Sequence, residues 1–156
     1  MPVTRRRATV PATPAAVWRT VADPHQLPRW WPRVERVEGV DGRGFTEVLR
    51  SDKGAIVRAD FRFGIRQKPR QVTWTQELEG TPFARLLRAA ETRIRLEPVD
   101  GDATLVEVAQ DQRLQGISRF GGFLVRRATR RVLDAALTSL VALHGDGDGD
   151  PGAPRP

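Results

Sequence analysis

The sequence predicts an α+β fold in which an antiparallel β-sheet of about six to seven strands wraps around a long C-terminal helix. The run from Ser118 to Leu143 has helical periodicity and is about 26 residues long, which corresponds to roughly 39 Å of helix. The preceding segments alternate apolar and polar residues and are joined by short turns. The exception is a region near the N-terminus, where two short helices are predicted after the first strand. At 156 residues the chain suits one domain.

The N-terminal segment predicts one strand followed by the two short helices. Val3 to Val10 is a strand whose alternation is interrupted by Arg5-Arg6-Arg7, and charge of this kind suits a sheet edge. A helix from Pro14 to Ala22 is indicated by Thr13 as N-cap and by proline at the first helical position. A further helical turn is predicted between His25 and Trp31.

From residue 34 onward the pattern is that of strands and turns. Asp41-Gly42-Arg43-Gly44 is a strong hairpin signal, and the segment Gly80 to Ala90 is predicted to be irregular or briefly helical. Because all connections are short, the strands should form an antiparallel meander. The six strands are Val37–Val40, Phe45–Arg50, Ala55–Phe63, Val72–Leu78, Thr92–Leu96 and Val106–Gln112.

The two sides of the last helix differ in character. One side is predicted to face the sheet and consists mostly of small residues, so the helix could lie close to the sheet or leave space beneath itself. The other side is rich in arginine. The inward set is Gly121, Val125, Ala128, Val132, Ala136, Ser139 and Leu143, and the outward set is Arg119, Arg126, Arg127, Arg130, Arg131 and Asp134.

Composition limits the classes of function. There is no cysteine, so disulfides and thiolate chemistry are excluded. No apolar run approaches the length of a membrane span, and no apolar signal core follows the N-terminus, so we expect a cytoplasmic protein. Residues 1–144 form the predicted domain. Residues 145–156 contain only Gly, Asp, Pro, Ala and Arg and are expected to be a disordered tail.

The net charge of +7 raises nucleic acid and anionic membranes as partners. Only Lys53 and Lys68 are lysines, an imbalance typical of a GC-rich genome. We therefore interpret the arginines of the last helix as a solvated outer face. We expect no nucleic-acid partner and leave peripheral contact with an anionic membrane as an alternative. The pattern makes no prediction for the oligomeric state.

A candidate ligand site follows from polar residues on inward strand faces. Gln76, Gln110 and Gln112 would face inward on otherwise apolar strands, where amides need hydrogen bonds, water or a ligand. Of the adjacent Trp30 and Trp31, one should plug the junction of sheet and helix, and the other either shields the loop or stands at a cavity mouth. The predicted ligand-binding residues are Trp30, Trp31, Val57, Phe61, Trp74, Gln76, Ile94, Val108, Gln110, Gln112, Phe120 and Leu124.

Catalytic groups are scarce. Glu47 would face the cavity if Phe45 and Leu49 do, which makes it the one candidate for a catalytic carboxylate, although we favour a solvated strand position for it. His25 and His144 lack a serine or carboxylate arrangement suited to nucleophilic catalysis, and there is no tyrosine. The segment Asp146 to Asp150 lacks the glutamate that closes a calcium loop, so we expect no metal. We also expect no cofactor.

Local sequence resembles the START-like, helix-grip superfamily, also called SRPBCC, over roughly residues 3 to 143. The resemblance rests on Val17-Trp18, Ala22-Asp23-Pro24 and the segment Leu27 to Val34, which look like its helix-loop signature. Pro82-Phe83, Leu96-Glu97-Pro98 and the segment Ala103 to Val106 look like its later strands. The most similar subgroup is the polyketide cyclase/dehydrase-like one.

The resemblance implies a cavity between the sheet and the last helix. The function that we favour is binding of a hydrophobic small molecule, such as a lipid, a polyketide or an isoprenoid. An aromatic polyketide cyclase is the first alternative, opposed by the shortage of titratable inward groups. A lipid or quinone chaperone that docks on anionic membranes is the second alternative.

Overall fold

The computed structural model describes residues 3–116 and 119–145, and these form one seven-stranded antiparallel sheet with a long C-terminal helix. The predicted α+β architecture is therefore confirmed. The strands are β1 (Val3–Val10), β2 (Val34–Glu38), β3 (Gly44–Arg50), β4 (Ile56–Gln67), β5 (Gln71–Gln76), β6 (Leu87–Val99) and β7 (Ala103–Leu114).

The sheet order is β1-β7-β6-β5-β4-β3-β2, so the meander runs from β2 to β7 and β1 returns to pair with β7. The arginine-interrupted β1 lies at an edge, as predicted. The hairpin turn at Asp41 is also confirmed, because its Oδ1 accepts hydrogen bonds from the backbone N–H groups of Arg43 and Gly44, at 2.7 and 3.0 Å. The two strands nearest the long C-terminal helix are β1 and β7, at one side of the sheet.

Two short helices separate β1 from β2. Helix α1 (Pro14–Val21) begins at the predicted N-cap, where Thr13 Oγ1 accepts from Ala16 N at 3.3 Å. A 3₁₀ turn (Pro24–Gln26) leads into α2 (Leu27–Trp30). Helix α1 buries Val17, Trp18 and Val21, the spacing that predicted its inward side.

The long helix α3 (Arg119–Gly145) packs against β1, β7 and α2. The predicted inward stripe is wrong by roughly 80° of rotation about the helix axis, at 100° per residue. The prediction followed the small residues, but the leucines have more apolar area to bury and therefore decide which side faces the sheet. Ala128 is consequently exposed. The buried positions are Gly122, Thr129, Leu133, Ala136, Leu137 and Leu140.

The largest differences from the predicted strand boundaries are in β4 and β6. Strand β4 continues four residues past Phe63 because a register shift between Phe63 and Arg66 lets pairing with β5 resume. Within the segment predicted to be irregular or briefly helical, Pro82–Arg85 forms a 3₁₀ turn, which agrees with the prediction, but β6 already begins at Leu87. Ser118, the predicted start of the last helix, and the tail from 146 to 156 lie outside the described residues.

Candidate ligand-binding cavity

A partly enclosed cavity of about 290 Å³ lies between the curved face of the sheet and the N-terminal half of α3. Its floor is formed by strands β3 to β7, and Val132 of α3 borders it from the helix side. Strand alternation explains why these residues face inward, since every second residue of a strand points to the same side.

Aromatic side chains form part of the cavity wall. These are Trp31, Phe61, Trp74 and Phe83, and Leu49 and Ala59 add aliphatic surface. Behind them, the ring of Phe45 stacks on that of Phe61, with centroids 5.3 Å apart, and meets Trp74 edge-on at 5.8 Å. Because these rings support one another, the wall is held in place before any ligand arrives.

Glu47 is a buried carboxyl group on the cavity wall. It lies on β3 between Val37 of β2 and Ala59 of β4, and the residue is 4% exposed. No hydrogen bond or ion pair to its side chain occurs within residues 3–116 and 119–145. The expectation of a solvated strand position is therefore wrong. Glu47 is buried because it lies on the same inward face of β3 as Phe45 and Leu49.

Burial changes the protonation of Glu47. Desolvation by its apolar surroundings penalises the charged form and raises the pKa of this carboxyl group to about 8. Glu91 also borders the cavity, but its carboxylate receives a hydrogen bond from Arg93 at 3.2 Å. Glu47 is thus mostly protonated at neutral pH and can donate a hydrogen bond.

All three predicted inward amides line the cavity. The hydroxyl of Thr129 on α3 donates to Gln112 Oε1 at 3.0 Å, and Gln110 Nε2 donates to Thr92 Oγ1 at 3.3 Å. The side chain of Gln76 has no such partner among the described residues. The cavity therefore offers an unpaired amide and an unpaired carboxyl group inside an aromatic wall.

The structure brings together half of the predicted ligand-binding residues. Those that line the cavity are Trp31, Phe61, Trp74, Gln76, Gln110 and Gln112.

The other six predicted residues do not line the cavity. Trp30, Ile94 and Val108 are core residues, and Trp30 packs edge-on against Trp31 with centroids 5.3 Å apart. Val57 is half-buried on β4. Phe120 and Leu124 lie on the solvent side of α3.

Several residues that line the cavity were not among the predicted ligand-binding residues. Leu49 and Ala59 share inward faces that alternation identified, and the pairing of β3 with β4 places Ala59 opposite Glu47 and Leu49 opposite Val57. Phe83 and Ala90 fall in the segment read as irregular, where no periodicity indicates a face.

Other features of the described residues are less suited to chemistry. A larger depression of about 590 Å³ beside α1 is open to solvent and is lined in part by Trp18, Phe63 and Arg66. His144 Nε2 lies 3.0 Å from Thr20 Oγ1, and burial lowers the pKa of this histidine, helped by Arg29 and Arg19. No cluster of three or more metal-binding side chains occurs within the described ranges.

None of the helices in the described part of the chain combines the length and the apolar character that a membrane span requires.

A sheet that closes on a long C-terminal helix around a cavity defines the START-like, helix-grip class of proteins. Within that class, the family profile described as polyketide cyclase / dehydrase and lipid transport matches residues 1–145. The chain therefore belongs to this family of the SRPBCC superfamily. A comparison with curated protein sequences gave no significant match.

Solved structures share the fold at low sequence identity. The di-domain aromatase/cyclase BexL from the BE-7585A biosynthetic pathway is similar, with a TM-score of 0.79 and 21% identity over 97% of this chain. This chain spans 48% of that two-domain protein. A START superfamily protein from Mycobacterium smegmatis has a TM-score of 0.75 and 14% identity, covering 92% of this chain and 97% of its own. XoxI from Bacillus cereus has a TM-score of 0.76 and 17% identity, covering 94% and 97%.

Proposed function

We propose that this protein binds a compact, largely apolar small molecule that carries a carbonyl or hydroxyl group, in the cavity between the sheet and α3. The observation that carries the proposal is Glu47, a buried carboxyl group on the cavity wall that has no hydrogen-bond or ion-pair partner among the described residues. An unpaired buried polar group is costly, and a ligand that accepts its hydrogen bond offsets that cost.

The size of the cavity favours a small ligand. Ligand pockets commonly measure about 300 to 1,000 Å³, and this cavity lies at the lower limit. That volume suits a molecule of two or three fused rings better than a long-chain lipid. The flat faces of Trp31 and Trp74 suit such rings as well. Among the ligand classes considered, a polyketide-like ring system therefore fits best.

A matched pair of ligands tests the proposal. Fluorenone is a three-ring ketone without a titratable group, and fluorene has the same rings without the carbonyl. We expect both to quench tryptophan fluorescence on binding, with fluorenone bound about three- to tenfold more tightly, the range of one hydrogen bond. Equal affinities, or no binding of either compound, would contradict the proposal.

Two substitutions of Glu47 make the test specific. Glu47→Gln keeps a donor and should retain the preference for fluorenone, whereas Glu47→Leu should lose it while still binding fluorene. Raising the pH above about 9 should weaken fluorenone binding to wild type, because the carboxyl group then loses the proton that it donates. The Gln variant should show no such pH dependence.

A cyclase-type enzyme is the second candidate, and the raised pKa of Glu47 favours it. A carboxyl group that titrates near pH 8 can exchange protons with a bound substrate near neutral pH. In an enzyme, Glu47→Gln would preserve binding but lower the rate by about 10² to 10⁴, the typical contribution of a general base. In a binding protein, no turnover of a bound β-polyketone would be seen in wild type or variant.

A further inference from the structure

The N-terminal half of α3 exposes large apolar side chains on the side opposite its buried stripe. Phe120, Phe123 and Leu124 are 71%, 45% and 47% exposed. Their i, i+3, i+4 spacing places them on one face, and the stripe of Gly122 and Thr129 lies on the other. Contact with the protein core therefore does not explain these side chains.

The same face is strongly basic. Arg127 and Arg131 continue the line of Phe120 and Leu124 along the helix, Arg130 lies on the Phe123 side of that line, and Arg126 lies between Arg130 and the buried stripe. All four are exposed, and none forms an ion pair within the described residues. The face thus joins an apolar patch to an unneutralised cationic one.

The neighbouring end of the sheet has the same character. The backbone N–H of Gln115 donates to the carbonyl of Leu86 at 2.9 Å, and a Cβ on Gly122 would lie 3.6 Å from Leu114. Leu86 is 53% exposed, and Arg85, Arg88 and Arg113 are exposed beside it. Residues 80–90, 112–116 and 119–133 together contain no aspartate or glutamate.

We propose that this end of the molecule, formed by the N-terminal half of α3 and the adjoining turn around Leu86, docks on the surface of an anionic lipid membrane. An interfacial helix inserts its apolar side chains at the level of the acyl chains, while arginines reach the phosphate groups. Docking would also bring Phe83, a cavity residue in the adjacent turn, towards the lipid.

The chemistry of the patch distinguishes a membrane from other partners. Nucleic acid would use the arginines and stack bases on the phenylalanines, but Leu86 and Leu124 offer no aromatic face. A second copy of the chain would bring together two patches with like charge. A bilayer with anionic headgroups accommodates all three features, namely the arginines, the aromatic rings and the aliphatic side chains.

Vesicle flotation of the full-length protein tests the proposal. We expect co-flotation with vesicles of phosphatidylcholine containing about one third phosphatidylglycerol, and none with phosphatidylcholine alone. Binding should weaken as salt is raised from about 50 to about 300 mM, because screening shortens the reach of the arginines. Equal binding to both vesicles, or no flotation with either, would overturn the proposal.

Paired variants locate the surface. Arg127→Gln with Arg131→Gln should weaken binding about 25-fold, at roughly fivefold for each arginine near an anionic surface. Arg70→Gln with Arg95→Gln removes the same charge at the far end of the sheet, since Arg95 lies about 26 Å along β6 from Leu87. This control should change binding by about twofold or less.

A second pair tests the apolar contribution. Phe120→Ser with Phe123→Ser should weaken binding by about tenfold or more. Ile56→Ser with Ile65→Ser replaces two apolar residues of similar exposure on β4 and should have little effect. If either test pair changes vesicle binding no more than its control pair does, the proposed docking surface is wrong.

Two other results would also overturn the proposal. One is tighter binding to a mixed-sequence DNA or RNA oligonucleotide than to the anionic vesicles. The other is a concentration-dependent dimer that the Phe120 and Phe123 substitutions abolish.

Discussion

The two halves of α3 lie against the same sheet but differ in the side chains that they bury. In the C-terminal half, Leu133, Leu137 and Leu140 are buried in a core with Val10 and the short helices. In the N-terminal half, the buried positions are Gly122 and Thr129, and Thr129 is hydrogen-bonded to Gln112, which lines the cavity. Side-chain volume at the buried positions therefore decides where the space between sheet and helix is filled.

The solvent sides of the two halves differ as well. The C-terminal half presents short side chains such as Ala135 and Thr138, with Asp134 paired to Arg6 at 3.1 Å. The N-terminal half presents exposed phenylalanines, together with arginines that form no ion pair within the part of the chain that the structure describes. The C-terminal half of α3 therefore packs in the core. The N-terminal half lies near the cavity on its buried side and has an exposed apolar and basic surface on its solvent side.

The largest effect expected at the cavity end is a pH dependence of stability. The pKa of Glu47 is raised from 4.5 to about 8 on folding, so its contribution is fully present below about pH 4.5 and is lost as the pH rises through 8. Relative to wild type, Glu47→Gln should gain up to about 5 kcal/mol in unfolding free energy between about pH 5 and pH 9. Urea unfolding at several pH values measures this difference. A difference independent of pH would contradict the burial of Glu47.

The next largest effect separates the packed half from the cavity half. Leu140→Ala removes a fully buried side chain from the core and should lower the unfolding free energy by about 3 kcal/mol. Val132→Ala acts on a side chain that already borders the cavity and should cost about 1 kcal/mol or less. Denaturant unfolding of both variants tests the contrast, and equal losses would mean that the two halves are packed alike.

A smaller effect is expected from the hydroxyl group that joins α3 to the cavity floor. Thr129 and Thr138 both donate to the carbonyl four residues earlier, at 2.9 and 2.8 Å, but only Thr129 also reaches Gln112. Thr129→Val should therefore cost about 1 kcal/mol of unfolding free energy, and Thr138→Val less than about 0.5. Thermal unfolding of the two variants provides the comparison. A larger loss for Thr138→Val would show that the bond to Gln112 adds nothing.

Strand alternation predicted most of the cavity floor. The inward placement of Phe61, Trp74 and the three glutamines follows from a period of two, which does not depend on distant contacts. Alternation also gave the direction of Glu47. Alternation did not predict the burial of Glu47, because burial depends on how far β2 and β4 shield β3 and on the aromatic residues around the carboxyl group.

The helix was less predictable than the strands. Small residues and leucines occupy overlapping arcs of α3, and only contact with β1, β7 and α2 decides which arc faces inward. Phe120 and Leu124 were among the predicted ligand-binding residues, but both are exposed on α3. Their exposure depends on the rotation of α3 against the sheet, which the local sequence does not specify.

Native mass spectrometry of the protein purified from its own host tests whether the cavity holds a ligand. We expect a non-covalent adduct on the wild-type chain, with the mass of a compact organic molecule. Ala59→Leu extends a side chain into the cavity and should reduce that adduct. Unbound wild-type protein, or the same adduct on both proteins, would contradict the claim that this cavity is a ligand site.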